Sequence, residues 1–312
     1  MRVTVIGSIN SDIVMSVDRF AMSNETVIGQ SDYVLAQGGK GANQAVAAAA
    51  AGAAVTMVGC VGGDSFGQSA LADLESHGVD CRYVRTIPDA TTGLASVIVD
   101  SDGNNMIVVA PGANSRLTVE AVQAAEELIA NSDVVLLQLE VPLPTVAEAV
   151  RIARSHGVRV ILNPAPASVK LPAWLSDLDI IIPNQHELRI LSDGAATGEE
   201  GSAALLDAGV GMVIVTLGGD GCLLSKPGWQ QRIAPYKVDA IDTTGAGDIF
   251  CGFLAALTAG GASIQSAVEA ANAAAAISVT RSNARKSIPT MKDVDQFMSR
   301  HEPVLTDGLA HS

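Results

Sequence analysis

The chain has 312 residues, 48% of them hydrophobic, with 33 acidic against 19 basic side chains and a formal charge of -14. That length and apolar content are enough to bury a sizeable core and disfavour disorder, while the acidic balance disfavours a nucleic-acid or anionic-membrane partner, since both need a basic footprint. The opening "MRVTVIGSINSD" has no signal-peptide core, no apolar run approaches the roughly 20 residues of a membrane helix, and Cys60, Cys81, Cys222 and Cys251 are too far apart for a metal or disulfide frame, so a cytoplasmic protein with reduced thiols is expected.

Taken in chain order, short β-branched runs recur: "VTVIG", "VTMVG", "VVLLQLE", "VRVILN", "IIIPN" and "MVIVTLG". Between them lie stretches of helical composition, with helices predicted over 41–51, 65–77, 118–131, 144–155, 246–259 and 263–279. Continuous apolar strands alternating with helices predict an α/β fold with a doubly wound, mainly parallel sheet covered on both faces. Two regions interrupt the alternation. Residues 11–36 contain strand-like pieces such as "DIVMSV" without a helix, and 93–112 read as a hairpin turning at Asp102-Gly103. Together these predict a small sheet acting as a lid over the carboxyl ends of the main strands, within one domain spanning 1–312. Such a sheet seldom stands alone in water, so pairing with a second subunit is expected.

Late in the chain, "DTTGAGDIF" (242–250) follows the strand-like "YKVDAID" and runs into helical sequence. Backbone N–H groups of Gly245, Ala246 and Gly247 would sit at the positive end of a helix dipole and form an anion hole. Asp248, one step into that helix, either complements the dipole or does chemistry on a bound phosphoryl group. No G-x-x-x-x-G-K-[ST] loop and no G-x-G-x-x-G fingerprint occurs, so any nucleotide site is of another kind.

"DTTGAGDIF" and "GGKGANQAVAAAAAGA" (38–53), with "LLQLE", "LNPAPA", "PNQHE" and "TLGGDG" in order between them, resemble the signatures of the ribokinase (PfkB) family of carbohydrate kinases over nearly the whole chain. The resemblance implies a sugar held by Asn10, Asp12, Gly39, Lys40, Gly41, Ala42, Asn43 and Glu140, whose amide and carboxylate groups suit hydroxyl recognition. It implies ATP held by Asn184, Glu187, Thr216, Leu217, Gly218, Gly219, Asp220, Gly221, Gly247 and Asn272. Asn184 and Glu187 would orient Mg²⁺, although their spacing equally fits a capping box. Asp242, Thr244, Ser278, Arg281, Asn283 and Ser287 match a potassium loop, with Asn283 standing where glycine is usual.

The same resemblance makes Asp248 the general base that deprotonates the sugar's primary hydroxyl beside the anion hole of Gly245, Ala246 and Gly247. "GSINSD", "QLE" and "NPAPA" look closest to the ribose-phosphorylating members, implying D-ribose as substrate with 2-deoxyribose as its rival. A homodimer joined through the lids is the implied assembly. A sensor that binds sugar and nucleotide without catalysis remains the reading of another class, because fold does not guarantee function.

Overall fold

A computed structural model describes residues 1–167, 173–281 and 284–303. The strands are β1 (Arg2–Ile6), β2 (Asn10–Ser16), β3 (Val34–Gly38), β4 (Ala54–Gly62), β5 (Val79–Ile87), β6 (Gly93–Val99), β7 (Asn105–Ala110), β8 (Val134–Leu137), β9 (Arg159–Leu162), β10 (Ile180–Ile181), β11 (Val213–Thr216), β12 (Cys222–Lys226) and β13 (Trp229–Ile233). Nine of them form one sheet in the order β13-β12-β11-β10-β9-β8-β1-β4-β5. From β11 to β5 every neighbouring pair is parallel, and β12 and β13 add an antiparallel hairpin at one edge.

Along β8 the side chains alternate between two cores, Val134 and Leu136 on one face, Val135 and Leu137 on the other. Both faces are dry, which is why these strands read as unbroken apolar runs. The order of winding reverses between β1 and β8, and chains leaving two such strands in opposite directions open a crevice at their carboxyl ends.

The helices are α1 (Lys40–Ala50), α2 (Ser65–Ser76), α3 (Val119–Gln123), α4 (Glu126–Ala130), α5 (Leu143–Ser155), α6 (Gln185–Leu191), α7 (Gly198–Asp207), α8 (Ala246–Ala259), α9 (Ile264–Val279), α10 (Ala284–Ser287) and α11 (Met291–Met298). The helix expected over 118–131 is two short ones, because the chain breaks at Ala124 and Ala125. The alanine-rich α1 lies against α8 so closely that a Cβ on Gly252 would sit 2.5 Å from the Gln44 carbonyl oxygen and 2.6 Å from the Ala47 Cβ. Ala45, Ala47 and Ala48 are fully buried in that contact. Small side chains are what allow two helix axes to come this near.

The remaining strands form a separate sheet in the order β3-β2-β6-β7. It is mixed: β2 runs parallel to β6 and antiparallel to β3, while β6 and β7 form the hairpin that turns at Gly103, whose φ is 80°. Val34, Leu35, Ile107 and Val108 are 53–63% exposed on it. The sheet is anchored where it leaves the main body. Asn114 accepts from the Ile9 amide at 2.9 Å and donates to Asn10 Oδ1 at 2.7 Å, and Asp64 accepts from both the amide and the hydroxyl of Thr92.

Candidate active site

The chain reaches α8 through residues 237–244, which form no strand; the strand expected for "YKVDAID" is absent because this segment has no sheet neighbour to pair with and is held instead by two bonds, from the Ile241 and Asp242 amides to the Val279 carbonyl at 2.7 and 3.1 Å. Gly245 then turns into the helix with a φ of 79°, a left-handed conformation that favours glycine. Of the three amides expected to face an anion, that of Ala246 donates to the Thr243 carbonyl at 3.3 Å, so it is already engaged.

Asp248 is the third residue of α8 and is buried. Its two carboxylate oxygens are held separately. Nδ2 of Asn43 donates to Oδ2 and Nε2 of Gln44 to Oδ1, both at 3.0 Å. Gln44 also donates to Asn163 Oδ1 at 3.1 Å and accepts from Gln138 Nε2 at 2.6 Å. A chain of neutral amides thus fixes the carboxylate without neutralising it. Sequence reasoning named Asn43 and missed Gln44, Gln138 and Asn163, although all three lie inside the quoted motifs.

Opposite lies the start of α1. Gly39 has a φ of 86°, and a Cβ there would stand 2.7 Å from the Asn10 nitrogen. Glycine cannot cap a helix with a side chain, and Glu140 does so from the loop after β8: its Oε2 accepts from the Lys40 amide at 3.1 Å and from the Ser8 hydroxyl. Ser8 Oγ in turn accepts from the Gly41 amide at 3.3 Å, and the Ser8 carbonyl accepts from Ala42 at 2.9 Å. Ser8 follows β1 and Glu140 follows β8, so this pair spans the crevice between the two strands where the winding reverses. Ser8 was not foreseen.

Asn10 and Asp12 enter the same region from β2. The Oδ1 of Asn10 is taken by Asn114, which leaves its amide N–H groups for another acceptor. Burial, reinforced by Glu140 and Asp248 and opposed by Arg285, pushes the Asp12 carboxyl up to about 6. Lys40 stands among acids, and the Asp248 charge above all holds its ammonium above the usual range.

Two cavities meet here. A cleft of about 640 Å³ is lined by Thr216, Leu217, Gly218, Gly219, Gly221 and Asn272, among others, a size suited to a nucleotide-scale ligand. Asn272 is fixed by donating to the Ala234 carbonyl at 2.9 Å. Asp220 belongs to the same turn, Gly218–Asp220, but is exposed and does not line the cleft. The second cavity, about 200 Å³, is lined by Lys40, Asn163, Glu187, Gly245 and Asp248. Asn184, Thr216 and Gly247 line both, so the cavities adjoin.

At their junction Asn184 caps α6: its side chain accepts from the Glu187 amide at 2.8 Å, and Glu187 accepts from the Asn184 amide at 2.9 Å. The capping box is therefore present. It does not compete with a ligand role, because it holds the buried Glu187 at the cavity wall, where burial raises its carboxyl above the ordinary value.

Of the residues expected to hold a monovalent cation, Asp242 accepts from the Thr244 amide at 2.9 Å, and Ser278 donates to Ala275 while its carbonyl accepts from Arg281; the bonds from Ile241 and Asp242 to Val279 bring the loop before α8 beside the end of α9. Ser287 is buried nearby in α10. Asn283 lies outside the described residues. No group of three or more His, Cys, Asp or Glu side chains among the described residues is placed to hold a metal ion alone, and no helix among them is long and apolar enough to cross a membrane.

The chain is similar over 300 residues to a ribokinase from Haemophilus influenzae, with 43% identity covering 95% of this chain and 97% of that one. A deoxyribokinase from Salmonella typhimurium is 34% identical over 307 residues, covering 97% of this chain and all of that protein. Among solved structures, the Arabidopsis thaliana ribokinase complexed with ribose and ATP superposes with a TM-score of 0.86 at 32% identity, covering 95% of this chain and 98% of that one. The model of the pfkB family carbohydrate kinases matches residues 1–291. With that match spanning a mainly parallel sheet, a separate small sheet and two adjoining cavities around a buried aspartate, the chain belongs to the pfkB family of carbohydrate kinases.

Proposed function

We propose that the protein is a ribokinase, transferring the γ-phosphoryl group of ATP to the 5-hydroxyl of D-ribose. The observation that carries this reading is the placement of Asp248: a buried carboxylate at the start of α8, held by two amides, on the wall of a small polar cavity that adjoins a nucleotide-sized cleft. The relatives named ribokinase supply the substrate.

In this reading ATP occupies the larger cleft, with its base toward Asn272 and its phosphates running past Thr216 to Gly245 and Gly247. The sugar lies between Asn10, Asp12, Gly39, Lys40, Asn43 and Glu140. Asp248 accepts the proton of the 5-hydroxyl as that oxygen attacks the γ-phosphorus, and the bond to the bridging oxygen of ADP breaks. Asn43 and Gln44 hold the Asp248 base in line, and the Gly245 and Gly247 amides, with Lys40, stabilise charge on the transferred group. Phosphoryl transfer has a loose transition state, so positioning and electrostatics carry most of the rate.

The donor set fits magnesium held chiefly by phosphate and water oxygens, with Glu187 as the adjoining protein carboxylate and Asn184 beside it. When bound, the ion supplies positive charge to the phosphate oxygens. Asp242, Thr244, Ser278, Arg281 and Ser287 offer side-chain and carbonyl oxygens suited to potassium, with Asn283 the remaining member of the set expected from sequence. The small sheet serves as a lid made of about 11–36 and 93–112, and its exposed Val34, Leu35, Ile107 and Val108 fit coverage by the same face of a second subunit.

An assay coupling ADP formation to ribose, 2-deoxyribose, fructose and nucleosides tests the substrate. Ribose is expected to give the highest kcat/KM; equal or better turnover of 2-deoxyribose overturns the choice. Binding of both ligands without ADP formation would instead identify a sensor.

A further inference from the structure

Two cations stand near this acidic site, Lys40 half-buried and Arg285 buried. Lys40 lines the smaller cavity with Asp248 and Glu187. Arg285, in α10, is only 6% exposed, with Nη1 3.0 Å from Oδ2 of Asp73 in α2. α10 packs on β3, α1 and α9, which brings the guanidinium within electrostatic reach of Asp12 and Asp248. Burying a guanidinium strips its hydration and is unfavourable unless nearby negative charge compensates. Asp73 supplies part of that charge and the two site carboxylates supply more.

The helix that grips Arg285 also grips the small sheet. Ser69 of α2 accepts from Gln37 of β3 at 2.9 Å, and Asp64, the cap of α2, accepts from Thr92 where the chain enters β6. Helix α2 therefore joins the segment after α9 to β3 and to the start of β6, the two neighbours of the strand that carries Asn10 and Asp12.

We propose that Arg285 is a positioning residue for sugar binding: gripped by Asp73, its buried guanidinium supplies the counter-charge that lets the carboxylates of Asp12 and Asp248 share one pocket with the sugar hydroxyls between them. The proposal rests on the reading that these two aspartates face the sugar. It requires charge at position 285, whereas a packing role requires only bulk.

Arg285→Met, Arg285→Lys and Asp73→Asn in the full chain test it, with KM for ribose and for ATP, kcat, and direct ribose binding by calorimetry. Arg285→Met is expected to weaken ribose roughly tenfold or more while ATP KM stays within about twofold, Arg285→Lys to recover most of the loss, and Asp73→Asn to fall between, as for a buried charge partner. Unchanged ribose affinity in Arg285→Met, or ribose and ATP constants moving together, overturns the proposal. If Arg285→Met does not fold, Asp73→Asn decides alone by the same split. Calorimetry reads ribose binding whether or not ribose is turned over, so failure of the kinase reading, seen as an inactive wild type, is distinguishable.

Discussion

Gln44 Nε2 lies 3.0 Å from Asp248 Oδ1 while the Gln44 Oε1 receives Gln138, so one glutamine orients the buried aspartate and is itself oriented by the residue that follows β8. An amide held at both ends cannot flip, which fixes a donor toward the carboxylate. Gln44→Leu is expected to lower kcat by roughly ten- to a hundredfold, with ribose KM changed less, because it loosens the base without removing it. Asp248→Asn is expected to cost about 10²- to 10⁴-fold while preserving fold and ribose binding. Steady-state kinetics on both variants checks the order; near-normal turnover in Asp248→Asn removes it as the base.

Glu140 closes the first turn of α1 in place of a capping side chain. Glu140→Ala leaves the Lys40 amide and Ser8 hydroxyl without their acceptor and is expected to lower stability by about 1–2 kcal/mol and raise ribose KM. Urea unfolding with ribose kinetics checks both; loss of stability with unaltered ribose KM would confine Glu140 to capping.

Asp12 supplies a pH dependence whose sign follows from its raised carboxyl, about 6 in the folded chain against 3.8 for the unperturbed group. The folded state binds the proton more tightly than the unfolded one, so this residue's favourable contribution is complete below about pH 4 and is lost as the pH rises through 6. Asp12→Asn is expected to be the more stable protein above pH 6, by at most on the order of 3 kcal/mol, and to bind ribose poorly. Unfolding midpoints from pH 4 to 8 check it; parallel curves for the two proteins would contradict the shift.

Gly252→Ala inserts a methyl where α1 and α8 touch. The atoms it would meet are backbone and an alanine, neither of which can swing aside. A loss of about 1–3 kcal/mol is expected, together with a drop in kcat, since the same displacement draws Gln44 away from Asp248. Thermal unfolding and kcat measured together check this; a destabilised variant with wild-type kcat would separate the helix contact from the site.

The parallel strands were legible because both faces of the sheet are buried, and α1 and α8 because glycine turns open them. β5 was not: "VDCRYVRTI" forms the sheet's edge, and its polar, partly exposed residues leave no apolar run. α6 is too short to show periodicity, yet its capping box was spelled out by Asn184 and Glu187. "YKVDAID" alternates like a strand, but alternation reports a half-buried extended segment whether or not a partner strand exists. The motifs located most of the site. Ser8, Gln44, Asn114 and Arg285 escaped because their roles depend on partners between 33 and 212 residues away in the chain, as the bonds of Ser8 to Gly41 and Arg285 to Asp73 illustrate for the two extremes.

The adjoining cavities have a pharmacological consequence. Because Asn184, Thr216 and Gly247 line both cavities, a bisubstrate inhibitor, adenosine tethered to a pentose by an oligophosphate bridge, is expected to span the two. Once one end is seated, the other faces an effective concentration in the millimolar range for a short tether, and selectivity over other nucleotide-using enzymes would come from the length of that bridge.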